Sequence, residues 1–404
     1  MRRVAAVVAV LVVLSTAAPA VSGQSGGAES DAYAGANVSF ETNGSAIADY
    51  AVGGDTVLES VVVQSQSEAK RDVGVGADTS LSTVSSVDWS ALSMESKTET
   101  SASVEAESGA SLDAHDNEHG ILVVDAGEEE GQFVHANVSD DADADAEGDR
   151  VVVTTANGTT GAFVVVGDGE VTVTEDGNVG AQLGADDKLV FRSYEGERSE
   201  DDREQERLVS EGTAAAEVHV MQRDGETVSD VVSYADGTTV ETAEQSENAV
   251  RMTVDRSSDE GTVLLTSVSE TAENVSVTVD GEAAAEASSY GELESAANGG
   301  DSSAYMVSEG SADASADVLV AVNHFSEREI AVDGSDEGTT DDGSGEETTD
   351  GDSSGEETTD GESTDNETGD DGDATTSSTE MPGFGVGAGL LAVVLSAFAL
   401  VRRA

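Results

Sequence analysis

The chain has 404 residues, of which 84 are acidic and only 17 basic, for a net charge of −67. That balance excludes a nucleic-acid partner, because phosphate contacts need clustered Lys and Arg. Cysteine is absent, so disulfides, thiol catalysis and thiolate metal sites are excluded too.

Residues 1–23 read as a signal peptide. Arg2 and Arg3 form a short positive region, and Val4 to Leu14 is continuously apolar over 11 residues. That run is too short to span a bilayer and suits the core of an export signal. Cleavage after Ala20 fits an A-x-A pattern with Ala18, and cleavage after Gly23 is the alternative. The paired arginines do not continue as a twin-arginine signal would.

Residues 24–332 form the body, and the expected fold class is mainly β. "RVVVTTANGTTGAFVVVGDGEVTVTEDGNVGAQL" alternates apolar runs with Asn-Gly, Gly-Asp-Gly and Asp-Gly, which is hairpin turn chemistry. "AAEVHVMQRDGETVSDVVSYADGTTVET" repeats the pattern, with turns at Asp224-Gly225 and Asp236-Gly237. At least three more strands follow in 249–282, and a last pair in 317–334. A β-sandwich or an elongated β body is expected, with a β-solenoid as the alternative. One helix stands out over 199–212. Ser199 can cap it with Asp202 three residues on, acids fill its first turn, and Gly212 can end it. It divides the body into β-rich regions 24–198 and 213–332.

Residues 65–117 are Ser-rich with sparse apolar residues. Trp89, the only tryptophan, is expected to plug a small core with Val87 and Leu92; a surface-binding ring is the alternative. "HDNEH" brings His115 and His119 close to Asp116 and Glu118, and reads as a solvated polar loop rather than a metal site. "SDDADADAEGD" sets Asp141, Asp143 and Asp145 at alternate positions, like the start of a calcium loop. It lacks the glycine at position six and the bidentate Glu at position twelve, so weak cation binding is the most it implies. No G-x-S-x-G, H-E-x-x-H or Walker A pattern occurs. No catalytic residue, metal ligand or cofactor is assigned. Six N-x-Ser/Thr sequons are candidate N-glycosylation sites: Asn37, Asn43, Asn137, Asn157, Asn274 and Asn366. Asn157 leads them, because it falls in a hairpin.

Residues 333–380 hold 19 Asp or Glu and no Lys or Arg, and "SGEETTDG" recurs at 344–351 and 354–361. Without large apolar residues nothing offsets the entropy of ordering, so a disordered, extended stalk is expected. Its hydroxyls suit O-linked glycans, and an undecorated acidic linker is the equal alternative. At the end, Gly385 to Val401 is an uncharged run of 17 residues closed by Arg402 and Arg403. As a helix it would just cross a thin hydrocarbon core, with the basic end inside and the bulk of the chain outside.

The tail 381–404 resembles the PGF-CTERM sorting signal of haloarchaeal surface proteins. The resemblance rests on Pro382-Gly383-Phe384, the hydrophobic segment and the basic end, together with the signal peptide and the acidity. It implies recognition by an archaeosortase, removal of the tail, and joining of the new C-terminus to a membrane lipid. It implies nothing about the ectodomain. Acidity of this degree suits a folded protein in concentrated salt, where the Debye length falls to about 3 Å and self-repulsion is screened. The expected function is a non-enzymatic, anchored cell-surface glycoprotein of a halophilic archaeon, serving structure, adhesion or ligand capture beside other envelope components. An anchored extracellular enzyme such as a hydrolase, with a scattered site, is the alternative.

Overall fold

The computed structural model describes residues 31–73, 89–246, 249–269, 274–309 and 315–335. The expected signal peptide, Val87, most of the expected stalk with Asn366, and the expected sorting tail with Pro382, Gly383 and Phe384 lie outside them. The chain within these limits is mainly β, with strands collected into four sheets.

The first sheet runs Ala32–Ala34, Val38–Asn43, Ala46–Val52, Asp55–Ser65, Gln132–Val138, Val179–Leu183 and Glu170–Val173 from edge to edge. The second runs Ala142–Glu147, Arg150–Thr155, Thr159–Val166, Lys188–Glu195, Leu122–Asp125, Ser111–His115, Ser101–Ala106 and Leu92–Lys97. The third contains Glu226–Ser233, Ala214–Arg223, Glu260–Ser269, Ser315–His324, Ala304–Glu309 and Ala285–Glu286. The fourth contains Thr238–Ser246, Ala249–Arg256, Arg328–Ser335, Asn274–Val279 and Glu282–Ala283. Pairing is antiparallel except between Ala214–Arg223 and Glu260–Ser269, and between Ala285–Glu286 and Ala304–Glu309.

The sheets stack through three cores. Val61, Val63 and Val134 of the first sheet meet Leu112, Val124, Phe163 and Phe191 of the second. Val123, Val164 and Val190, on the other face of the second sheet, meet Val263, Leu265 and Leu319 of the third. Leu264, Val318 and Val320 then meet Val250, Met252 and Ile330 of the fourth. Successive residues of a strand point to opposite faces. The two middle sheets are therefore largely apolar on both sides, which is why "GAFVVV", "LVF", "VLL" and "VLVAV" are unbroken apolar runs rather than alternating ones.

Turn chemistry closes the hairpins. Asp224 and Gly225 link Arg223 to Glu226 with φ of +50° and +84°, the two positive angles of a type I′ turn. Asp236-Gly237 instead carries the chain from the third sheet to the fourth.

Three helices occur among the described residues, where the sequence suggested one. α1 (Gln66–Val73) covers part of the outer face of the first sheet, and α3 (Tyr290–Ala297) buries Leu293 and Ala297 in the middle core. Both are only eight residues long, too short for a periodic pattern to show. The expected helix is α2 (Glu200–Ser210). Ser199 and Asp202 form its capping box, and Gly212 follows it with a φ of +67°. α2 does more than divide the chain: Leu208 and Val209 enter the middle core. Two further corrections are needed. The last strand runs to Ser335, past the expected start of the stalk at 333. "DADADAE" is not a curled loop but the exposed edge strand Ala142–Glu147, whose alternating acids protect that edge from pairing.

Candidate functional site

The most unusual chemistry lies between the second and third sheets, around the segment 115–119. That segment is not the solvated loop its polarity suggested. His115, Asp116, Asn117 and His119 are all buried, at 9%, 0%, 0% and 2% exposure. It turns the chain from Ser111–His115 into Leu122–Asp125 and faces the strands of residues 214–335.

Its first half meets a rim of partners. His115 Nδ1 and Asn117 Nδ2 lie 3.0 and 2.9 Å from the two oxygens of Asp230. Asp116 accepts from the backbone N–H groups of Ala36, Asn37 and Val38 at 2.6–2.7 Å, and pairs with Arg223. A Cβ on Gly35 would sit 2.0 Å from an Asp116 oxygen, so only glycine lets the chain approach the carboxylate this closely.

Its second half joins a deeper network. Ser267 Oγ lies 2.5 Å from Glu118 Oε1 and 3.0 Å from Asp317 Oδ1. Asp317 Oδ2 accepts from Gln205 of α2 at 2.7 Å, and Gln205 Oε1 accepts from Arg192 at 3.3 Å. Arg192, fully buried, also donates to Glu217 Oε2 at 2.7 Å, which Tyr234 contacts at 2.6 Å. His219 sits between two acids, with Nε2 3.1 Å from Glu217 and Nδ1 3.5 Å from Glu118. Neither contact has hydrogen-bond angles, so charge rather than directed bonding holds the ring.

The protonation states follow from these contacts. Burial opposes a charge on His219, but Glu217 and then Glu118 outweigh it and push its pKa up to about 10. Burial would raise Glu118, yet His219 and His119 bring it down to about 2. Glu217 is likewise held below the usual carboxylate range: burial raises it, and Arg192 and His219 overcome that. Burial, then the field of Arg192, lowers His119, which stays neutral and donates from Nδ1 to the Ser193 carbonyl at 3.0 Å. Burial raises Asp317. The Ser267 hydroxyl is placed to donate to either carboxylate, with Glu118 the nearer of the two. Within the network the cations Arg192 and His219 face the carboxylates of Glu118 and Glu217. Only Glu118 reaches solvent appreciably, with 24% of its side chain exposed.

Two more stations flank it. Lys188 is buried and bridges Asp125 to Asp236, whose Oδ1 is 2.8 Å away. Glu206 of α2 is fully buried and takes Arg150 and Arg198, each at 2.7 Å. Five ion pairs, His115–Asp230, Lys188–Asp236, Arg192–Glu217, Glu118–His219 and Asp116–Arg223, join residues 31–195 to residues 214–335. The arrangement is a clamp of matched buried charges, enclosed too tightly to admit a substrate at Arg192 or Glu217. Among the described residues no group of three or more His, Asp or Glu is placed to hold a metal ion, and no helix is long and apolar enough to cross a membrane.

The sequons are scattered. Asn157 is exposed in its hairpin, with Nδ2 2.8 Å from Asp55. Asn43 is exposed at a strand end and Asn37 is half-buried. Asn137 lies mid-sheet, its Nδ2 2.6 Å from Ser60 Oγ. Asn274 begins a strand of the fourth sheet. No signal in the sequence pointed to Arg192, Glu217, His219 or Asp317; the one available hint was ionisable residues inside runs that otherwise read as core strand. No family model matches the chain, and no curated protein matches its sequence.

Proposed function

We propose that the chain is an exported cell-surface glycoprotein of a halophilic archaeon, with a rigid, sandwich-like β ectodomain carried on an acidic stalk. In this reading the C-terminal tail is removed by an archaeosortase and the new end is joined to a membrane lipid. The ectodomain serves structure, adhesion or ligand capture, not catalysis.

The placement of the scarce cations supports this best. Lys188, Arg192 and Arg198 are buried, and Arg150 and Arg223 are half-buried, each paired with acid inside a joint. Cations withdrawn in this way leave an exterior dominated by carboxylates. Molar salt screens exposed charges to within about 3 Å and leaves enclosed pairs almost untouched. A protein built for concentrated brine gains from this division: screened acid outside, unscreened pairs inside. The four-layer stack with charged clamps suits a load-bearing or displaying element. Mass spectrometry of protein recovered from cell envelopes tests the reading. A C-terminus near residues 378–382 carrying lipid is expected, and a dominant form ending in Arg403-Ala404 would overturn it.

A further inference from the structure

The outer face of the first sheet carries a feature that the buried clamp does not use. In Gln132–Val138, Val134 and Ala136 enter the core, so Phe133, His135 and Asn137 face outward. α1 lies over part of this face, where Ala69 and Phe133 are buried together and Trp89 packs against them. Trp89, half-buried, thus packs on a small core as expected, but one made of Ala69 and Phe133 and not of Leu92, which packs against the first core. Its indole stacks on His135, with ring centroids 6.0 Å apart and planes 18° from parallel. His135 is fixed in turn by Asn137 Oδ1, 3.0 Å from Nε2. The ring is held by its own supports before any ligand arrives.

Beside it lies a cleft of about 380 Å³ lined by Trp89, Gln64, Ser90, Glu68, Arg71 and Glu107. That volume is at the small end of the ~300–1,000 Å³ typical of ligand pockets. Gln64 and Ser90 are buried at its floor, and the Ser90 hydroxyl has no hydrogen-bond partner among the described residues. Glu68, Arg71 and Glu107 are exposed at its rim. Arg71 donates to Ser67 Oγ at 3.3 Å and forms no ion pair among the described residues. The cleft therefore combines one flat apolar ring with carboxylate acceptors and a guanidinium donor.

A pyranose matches that combination. Its C–H face is apolar and packs on an aromatic ring, and its hydroxyls both donate and accept around the edge. An anion is disfavoured, because two carboxylates flank the single guanidinium. A quaternary ammonium is disfavoured too, because one ring makes no cage and salt screens the exposed acids. We propose that the Trp89 cleft is a saccharide site. It takes a neutral hexopyranose on the indole, with Glu68 and Glu107 accepting from its hydroxyls and Arg71 donating to them. This deepens the ligand-capture part of the surface reading and rests on it for biological sense, but its chemistry is independent of how the tail is processed.

Trp89 is the only tryptophan, so its emission reports on the cleft alone. The test titrates methyl glucoside, methyl mannoside and methyl galactoside into the purified, unglycosylated full chain, held in detergent and molar salt. At least one should shift the emission saturably. Arg71→Ala and Glu107→Gln, both at exposed positions, should keep the circular dichroism and weaken that binding about tenfold each, the size of one charge-assisted hydrogen bond. Absence of a saturable shift with all three sugars would overturn the proposal, as would full binding by both variants. Tighter binding of methyl glucuronide, abolished by Arg71→Ala, would make this an anion site and overturn it as well. Failure here leaves the envelope mass-spectrometry result unaffected, and an unprocessed tail leaves the titration unaffected.

Discussion

Replacing Arg192 with Met tests whether the buried clamp holds the two halves together. The side chain is fully buried, so its replacement leaves Glu217, 3% exposed, without its nearest cation. Breaking a buried ion pair by removing one partner costs about 3–5 kcal/mol, most of it the burial of the charge left behind. At about 2 °C per kcal/mol for a body of this size, the melting temperature should fall by about 6–10 °C. The double variant Arg192→Met/Glu217→Gln removes both charges and leaves His219 with Glu118. It should recover a clear part of that loss, because the penalty comes from the carboxylate left in excess once His219 is the only cation shared by Glu217 and Glu118. Melting is followed by circular dichroism in molar salt and again at lower salt within the folded range. An enclosed pair is barely screened, so the Arg192→Met shift should be similar in both. The half-exposed Arg207, which pairs with Glu204, Glu211 and Glu294, is the comparison, and Arg207→Gln should matter less as salt rises. A drop under about 2 °C for Arg192→Met, or a double variant no better than the single one, would refute the reasoning.

The same network sets a pH profile. His219 titrates at about 10 in the folded chain against an ordinary 6.5, so its stabilisation is complete below 6.5 and is lost as pH rises toward 10. Thermal melts of His219→Gln should lack that alkaline decline; an unchanged decline would assign it elsewhere. Glu118, at about 2 against an ordinary 4.5, stabilises fully above 4.5 and loses its contribution as acid approaches pH 2, so Glu118→Gln should flatten the acid limb. Gly225→Ala places a Cβ where φ is +84° and no atom lies within 4 Å, so only backbone strain is added. A loss of about 1–2 kcal/mol in urea melts is expected, and a neutral result would mean the turn is not type I′. The body, residues 24–335, should lose its β signature near 0.1 M salt; a spectrum unchanged there would show that its net charge is not limiting. Changing Pro382-Gly383-Phe384 to alanines keeps the hydrophobic run, so accumulation of the longer form in cell extracts marks a sorting substrate and normal maturation marks a plain anchor.

Local chemistry made much of this protein legible. The apolar runs between Arg150 and Leu183, the Asp224-Gly225 hairpin and the Ser199 capping box each depend on residues close in sequence, and the structure has each of them. What tertiary structure alone decided joins residues far apart. His115 meets Asp230, Asp116 meets Arg223, and Gln205 meets Asp317, each pair separated by more than 100 positions. Sequence spacing carries no trace of such partners, so "HDNEH" reads as a wet loop until the third sheet closes over it. The same holds for the edge strand "DADADAE", whose alternation is shared by a cation loop and by an exposed strand, and which only its pairing with Arg150–Thr155 resolves. The partners of Trp89 are Ala69 of α1 and Phe133, 20 and 44 positions away, a packing between segments that no local pattern records.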